Sequence, residues 1–287
     1  MQKAYVPYIA ALLMLGSNGC VASLISMSSH EIVLTRCLLG ALTMLLMLAV
    51  MRHRPVAGEH RRELLFLWAS GAALAGNWLC MYEGYVRVGV GVTTLLTYLG
   101  PVLVMAASPV LFRERLRGAC VAGFAVVFAG VVMVSGCSAD GALDPLGLAL
   151  GFCSALFYLV MVGFSKRVTH IAGVENSFWQ TASALVVVAI FVLLRQGPTL
   201  SLTSADLLPV LWLGVVNTGV GVCLYFIGVN RLPAQSVAVL GYLEALSAVV
   251  FGAIFLGETM SGLQIAGAAL ILGGAVFAEV MRTRPAS

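Results

Sequence analysis

The sequence contains little charge. Of its 287 residues, 16 are Lys or Arg and 12 are Asp or Glu, whereas 61% are hydrophobic and the mean hydropathy is +1.02. Soluble domains carry about a quarter charged residues, and a soluble core of this size would need far more polar surface. The composition therefore predicts a membrane protein with several spans. The net charge of +4 is small, and we expect no nucleic-acid partner.

Motifs for catalysis or cofactor binding are also missing. The seven cysteines include no CxxC pair, so we interpret them as small buried residues and not as a metal or disulfide framework. The sequence has no Walker motif for ATP, no cluster of metal ligands and no nucleophile–base pair. We therefore expect no enzymatic activity, no cofactor and no metal.

Long apolar runs fill the chain instead. A helix needs about 20 apolar residues to cross a bilayer, and ten segments qualify. They are about 5–24, 32–51, 64–83, 92–112, 119–136, 145–165, 176–195, 207–228, 235–256 and 262–280. No clear cleavage site follows the first run, so we interpret it as the first span and not as a signal peptide.

The basic residues predict the orientation of the chain. With the N-terminus inside, thirteen Lys and Arg residues fall on the inner side. Only Arg87 and Arg195 fall outside, and Arg36 lies near the outer end of the second span. Cytoplasmic segments carry such an excess. We expect a multi-pass protein of the inner or plasma membrane with both termini cytoplasmic.

The chain also repeats itself after 144 residues, without a gap. Charged, aromatic and glycine residues match in one register, which indicates two homologous halves, 1–144 and 145–287. The matching pairs are Glu31–Glu175, Trp68–Trp212, Gly84–Gly228, Arg87–Arg231, Tyr98–Tyr242, Glu114–Glu258, Gly118–Gly262, Gly123–Gly267 and Gly130–Gly274. The glycines form stripes spaced by seven, which predict that the fifth and tenth spans pack closely together.

Five spans per half is an odd number, so the second half enters the membrane from the opposite side. We therefore predict an all-α membrane protein of ten transmembrane helices, arranged as two inverted five-helix repeats. Inverted repeats are typical of alternating-access transporters, whose substrate site lies near the midplane between the repeats. A channel or a scaffold can also have this architecture.

Two equivalent segments carry a resemblance to a known family. "TYLGPVLVMAASPVLFRERL" in the first half and "GYLEALSAVVFGAIFLGETM" in the second resemble the paired signature of the EamA family, within the drug/metabolite transporter superfamily. "LTRCLLGAL" in the second span is similar to that family too. The resemblance covers essentially the whole chain and implies uptake or efflux of small metabolites, amino acids, amines or drugs by alternating access.

The family's known folds imply that spans 1–4 and 6–9 line a central cavity, while spans 5 and 10 pack at one side. The chain departs from the family pattern at one position. The fourth span has Pro101 after Tyr98, but the ninth has Ala245, directly after Glu244, where the family has proline. Any gating role of a proline kink there is in doubt.

Glu244 is the only acid placed deep in a predicted span. An ionised carboxylate facing lipid would cost several kcal/mol, so the side chain should face a cavity or a partner. It is either a site for a cation or proton, which would let it exchange a proton for a cationic substrate, or a structural partner of Arg36 or of a hydroxyl group. We favour the first interpretation.

Aromatic and amide residues in the spans are further candidates for substrate binding. Trp78, Tyr82 and Tyr85 share one helix face and could hold a cation, although for Tyr85 we favour an interfacial aromatic belt. Tyr158, Trp179 and Tyr225 could equally be packing, and Asn18 could instead bond across to the second span. The candidates besides Glu244 are Trp78, Tyr82, Asn77, Tyr98, Tyr242, Trp179, Tyr158, Tyr225 and Asn18.

Three charged residues are candidates for coupling or gating: Glu244, Arg36 and Glu83. Arg36 either snorkels to the outer headgroups or faces the cavity and meets a carboxylate. Glu83 lies four residues before Arg87, a spacing typical of a simple ion pair.

These observations predict a secondary transporter that works as a monomer in a lipid bilayer and uses no cofactor. Its small-molecule substrate is cationic or amine-bearing, since no deep lysine balances Glu244, and a proton is a candidate coupling ion. One alternative is an exporter of amino acids or other neutral or zwitterionic metabolites. A membrane scaffold or lipid-binding protein that transports nothing is an alternative of another class.

Overall fold

The computed structural model describes residues 2–88, 93, 96–113, 118–135, 144–197, 200–255 and 262–283, and this part of the chain is helical without a strand. Before residue 144 the helices are α1 (Gln2–Leu15), α2 (Asn18–Ala22), α3 (Ser29–Val50), α4 (Arg61–Val88), α5 (Leu99–Leu111) and α6 (Gly118–Ser135). After it come α7 (Pro145–Ser165), α8 (Gly173–Gln196), α9 (Leu207–Leu211), a π-helical segment (Trp212–Val222), α10 (Cys223–Arg231), α11 (Ala234–Leu240), α12 (Leu243–Phe255) and α13 (Gly262–Thr283).

Several helices have the length and hydropathy of a membrane span. Within the described residues six qualify: Ala4–Ala22, Ser29–Val50, Arg61–Val88, Pro145–Ser165, Gly173–Arg195 and Leu207–Arg231. Three shorter apolar helices are Leu99–Leu111, Val121–Met133 and Ile265–Ala278. Each of the ten predicted segments contains helix, although much of the start of 92–112 lies outside the described residues, as do Glu114 and Glu258. The chain is thus a multi-pass membrane protein.

Helices are interrupted at equivalent places in the two parts of the chain. The backbone turns at Tyr98, just before α5, and at Gly241–Tyr242, between α11 and α12. Pro101 lies in the first turn of α5, where a missing N–H is tolerated. The second interruption occurs although Ala245 stands in the place of a proline. The Tyr242 hydroxyl donates to the Tyr98 carbonyl at 2.8 Å.

Reciprocal contacts tie the loops of each part of the chain to the other part. The Glu31 carboxylate, in the first turn of α3, accepts from the backbone N–H of Ser201 at 2.8 Å. The Glu175 carboxylate, in the first turn of α8, accepts from the backbone N–H of Ala57 at 3.0 Å. Glu175 lies 144 residues after Glu31, and Ser201 lies 144 residues after Ala57. The same distance separates Tyr98 from Tyr242.

Helices α6 and α13 pack against each other through glycines. A Cβ atom built on Gly123 would lie 3.0 Å from the carbonyl oxygen of Gly274, and one built on Gly130 would lie 2.6 Å from that of Gly267. No larger side chain fits there without displacing backbone. The predicted packing of the fifth and tenth apolar segments is therefore confirmed.

Asp206, just before α9, holds a loop to the region after α2. Its carboxylate accepts from the backbone N–H and hydroxyl of Ser26 and from the same groups of Thr203, at 2.6 to 3.1 Å. The bond from the Thr203 hydroxyl, together with the other three donors, holds the pKa of this carboxyl well below its usual range.

Two neighbouring glycines of α13 should respond differently to substitution. In Gly274→Ala, the new methyl group meets Val127 and the Gly123 carbonyl at 2.8 and 2.9 Å. Overpacking of this kind costs about 1–3 kcal/mol, so we expect a lower melting temperature in detergent. Gly273 has nothing within 4 Å of its Cβ position, and Gly273→Ala should leave the melting temperature unchanged or higher. Equal losses in both variants would contradict glycine packing between α6 and α13.

The Asp206 contacts should make stability depend on acid pH. The folded-state pKa is depressed, so the stabilisation is present above the unfolded pKa of about 3.9 and is lost as the pH falls towards the folded value. Asp206→Asn should lower the melting temperature at pH 7 and flatten the decline below pH 4. Glu59→Gln, which removes an exposed acid, serves as the control. A decline in Asp206→Asn as steep as that in wild type would rule out this carboxylate as its source.

Candidate functional site

A cavity of about 120 Å³ lies between the helices and has room for a small organic solute. Residues on both sides of position 144 contribute to its wall. Of the ten residues predicted to bind substrate, seven line it, and their role in binding stays a prediction. They are Glu244, Trp78, Asn77, Tyr98, Tyr158, Tyr225 and Asn18.

Glu244 is the second residue of α12, directly after the interruption at Gly241–Tyr242. Its side chain is half-buried and faces the cavity. No ion pair or hydrogen bond to its carboxylate is found within the described part of the chain. Gly16 packs against the backbone here, since a Cβ on Gly16 would lie 2.8 Å from the Glu244 carbonyl oxygen. The acid thus lies in the cavity wall, where Arg36 attracts its carboxylate without an ion-pair contact.

Three tyrosines form a connected group beside the acid. The Tyr225 hydroxyl donates to the Tyr158 hydroxyl at 2.9 Å, and the ring centroids of Tyr8 and Tyr225 are 5.5 Å apart. The Tyr8 hydroxyl donates to the carbonyl of Val237 at 2.9 Å. Aromatic faces attract cations, so an ammonium group near Glu244 would meet both a carboxylate and tyrosine rings.

Arg36 lies behind the cavity wall and does not reach the headgroups. It is 1% exposed. Its guanidinium donates to Thr218 Oγ1 and to the Tyr82 hydroxyl at 3.1 Å, and to Asn18 Oδ1 at 3.4 Å. It also lies 4.2 Å from the ring centroid of Trp78. Asn18 therefore lines the cavity and bonds across to α3 at the same time.

A charged network connects the ends of α3, α4 and α7 near the predicted outer face. Arg87 pairs with Glu83 at 3.1 Å, as the spacing predicts, and with Asp144 at 3.2 Å. His30 lies 3.3 Å from Glu83. The backbone N–H of Leu146, at the start of α7, and then Arg87 hold the pKa of Asp144 below its usual value. Glu83 is therefore part of an ion-pair network and not of the cavity wall.

Three predicted binding residues lie outside the cavity wall. Tyr82 contacts Arg36. Tyr242 is fully buried and turns towards Tyr98 and Phe124, with ring centroids 5.7 and 5.6 Å away. Trp179 packs with a separate apolar cluster around Leu67. Position within an apolar segment does not reveal which side of the helix a ring faces, and that limited these predictions.

Other residues of the site were missed by the sequence. Tyr85 lines the cavity, although its place near a helix end favoured a membrane-interface role. Leu12 and Leu15 also line it, and Tyr8 supports it from behind. Their i, i+4, i+7 spacing puts them on one face of α1, and this was the available signal.

Metal binding has no support in the described residues, where no group of three or more His, Cys, Asp or Glu side chains could hold an ion. No disulfide is formed by Cys20, Cys37, Cys80, Cys153 and Cys223. The cavity offers one carboxylate, aromatic rings and amides for non-covalent binding.

Comparison with known proteins bears on what such a cavity does. The model of the EamA-like transporter family matches this chain twice, over residues 2–136 and 145–279. The chain belongs to the EamA-like transporter family. One match covers the helices before residue 144, and the other covers the helices after it.

Several relatives are similar over most of the chain. An uncharacterised transporter, YxxF, of Bacillus subtilis is 23% identical, covering 97% of this chain and 90% of the relative. The threonine/homoserine exporter RhtA of Salmonella typhimurium is 27% identical, covering 91% and 87%. The aromatic amino acid exporter YddG of Ancylobacter novellus is 27% identical over 66% and 67%. A solved crystal structure shares the fold, with a TM-score of 0.83, 20% identity and 98% coverage of both chains.

Thiol labelling should distinguish the cavity wall from the adjacent packed face of α4. Leu74 lines the cavity, whereas Ala75 is fully buried and is not part of the wall. In a variant without native cysteines, we expect Leu74→Cys to react with a small aqueous thiol reagent and Ala75→Cys to react only after denaturation. Equal protection of both cysteines would show that water does not reach this wall.

Proposed function

We propose that this EamA-family protein is a secondary active transporter that moves a small amine-bearing solute across the cytoplasmic membrane. The observation that carries the proposal is the cavity with Glu244 in its wall. A carboxylate that deep in an apolar protein is expensive unless it has a partner, and the described residues give it no ion pair or hydrogen bond, only the longer-range attraction of Arg36. An ammonium group or a proton would be that partner.

The mechanism that we propose is alternating access by two inverted five-helix halves, 1–144 and 145–287. The reciprocal contacts of Glu31 with Ser201 and of Glu175 with Ala57 support it. In a molecule with a two-fold relation, any contact between the halves recurs between the equivalent residues. The two family matches, one on each half, support the same architecture, with ten membrane crossings.

The proposed substrate follows from the chemistry of the wall and from the relatives. Glu244 and the rings of Tyr158 and Tyr225 suit a cation, while the rest of the wall is largely apolar or aromatic. Two relatives are named as exporters of threonine and homoserine and of aromatic amino acids. All of these solutes carry an amine, and export is the direction that we propose.

We further propose a coupling ion, an orientation in the membrane and an oligomeric state. Glu244 can hold either a proton or an ammonium group, so a proton entering as the amine leaves would couple transport to the pH gradient. The excess of basic residues in the inner segments supports cytoplasmic termini. The cavity is built within one chain, which supports a working monomer.

Replacing Glu244 tests the proposed function. The melting temperature is measured for purified wild type, Glu244→Gln and Glu244→Asp. Each protein is tested with a panel of primary amines, quaternary ammonium compounds and amino acids. A ligand at 100 times its Kd stabilises by about 2.7 kcal/mol, so amine-bearing ligands should raise the melting temperature of wild type. Glu244→Gln should lose this response, and Glu244→Asp should keep part of it.

The alternatives give different results in the same assay. If neutral compounds stabilise wild type and Glu244→Gln alike, the carboxylate is structural and the amine site is wrong. If no solute stabilises the protein or crosses proteoliposomes that contain it, a scaffold or lipid-binding role takes its place.

A further inference from the structure

A buried positive charge behind the cavity makes its direct contacts with neutral groups, and Glu244 interacts with it electrostatically without forming an ion pair. The guanidinium of Arg36 contacts Thr218, Tyr82, Asn18 and the face of Trp78. The ion pairs formed by the described residues do not include it. An unpaired charge in a membrane protein interior is costly. Such a charge is therefore better explained by a ligand than by the fold.

The equivalent position in the second half is neutral. Gln180 follows Arg36 by the repeat distance and is also fully buried. Its side-chain amide donates to Asn176 at 2.7 Å and to Ser165 at 3.4 Å and accepts from Ser70. An uncharged amide can thus bind neighbouring helices together at this position. The positive charge of Arg36 is an addition that the repeat architecture does not require.

Arg36 also has hydrogen-bonding capacity to spare. A guanidinium has five N–H donors, and three of them reach partners in the described part of the chain. Asn217, in the π-helical segment, donates to Asn18 and Ser17, but its own Oδ1 is buried without a partner. π-helical segments are frequent at functional sites. The free donors of Arg36 are thus the part of this network that a carboxylate could use, whereas the Asn217 Oδ1 is an acceptor that needs a donor.

The position of this network suits a ligand that already contacts Glu244. Asn18 and Trp78 are the two residues that both contact Arg36 and line the cavity. Gly16 packs on the Glu244 backbone, and two residues span at most about 7.6 Å between Cα atoms. The acid and the Arg36 network are therefore within reach of one small molecule.

We propose that Arg36, with Asn18 and Trp78, forms a carboxylate subsite of the cavity. The transported solute then carries a carboxylate as well as an amine: its ammonium group binds Glu244, and its carboxylate takes the free donors of Arg36 once Asn18 or Trp78 moves aside. Arginine suits this role because its planar fork binds carboxylates with two bonds. This inference rests on the proposed function and narrows it from amines to zwitterions.

Ligands that differ only in the carboxylate or only in the amine show how much each group of the solute contributes to binding. The melting temperature of the purified protein is measured with increasing concentrations of each ligand, from which its affinity follows. The ligands are alanine and phenylalanine, their amides, their N-acetyl derivatives, ethylamine and phenethylamine. In wild type, each amino acid should bind about tenfold or more tightly than its amide or the parent amine, because a site built for a charged group rejects an analogue without it. The N-acetyl derivatives, which lack the amine, should also bind weakly.

Two variants assign the effect to its residue. Arg36→Gln, which introduces the residue type found at the equivalent position, should bring the affinities for amino acid and amide together. Arg36→Lys keeps the charge without the fork and should retain only part of the preference. Glu244→Gln should weaken the amino acid and the amide together, because it removes the ammonium contact that both ligands share. Gel filtration and the melting temperature without ligand check that each variant is folded.

The outcomes for the inference and for the proposed function are distinguishable. If wild type binds amides and amines as tightly as amino acids, or if folded Arg36→Gln keeps the wild-type ratio, Arg36 is a structural link and only the subsite is wrong. If none of the ligands binds wild type, both proposals fail. If Arg36→Gln does not fold, the ratio of the wild-type affinities for amino acid and amide decides by itself.

Discussion

The absence of water from the bilayer core is the constraint on which the rest of this structure depends. Every backbone N–H and C=O at that depth needs a partner within the protein, so the long apolar runs of the described chain are helical. Gly241 and Tyr242 are buried, and the Tyr242 hydroxyl reaches the other interruption, at Tyr98. The cavity opens beside these two breaks because backbone there is already irregular and enclosed.

Much of the fold could be predicted from the sequence, because apolar length and glycine spacing are direct physical requirements. The same patterns say less about the site. Glu244 was identifiable because a lone acid in an apolar run is costly against lipid and has to face a cavity or a partner. Trp179 and Tyr242 were not distinguishable from Trp78 and Tyr98, since an aromatic ring is equally at home against lipid, a core or a ligand. Which face a ring takes depends on packing between helices distant in sequence.

The parts of the chain before and after residue 144 make equivalent contacts and differ in chemistry. Glu31 and Glu175 make equivalent contacts, as do the glycines of α6 and α13. At the cavity the correspondence ends: Arg36 matches Gln180, and Glu244 matches Gly100. The charges of Arg36 and Glu244 thus have no charged counterpart at the equivalent positions.

The contacts of Glu31 and Glu175 also have a consequence for biosynthesis. The ribosome releases Glu31 and the Ala57 loop well before Ser201 and Glu175 exist. During that interval the Glu31 carboxylate has Ser28 but not Ser201 as a partner, the amides of Val56 and Ala57 lack Glu175, and the glycines of α6 lack α13. Completion of the second half satisfies all of these groups together. Residues 1–144 made alone would therefore lack the partners that these groups have in the full chain.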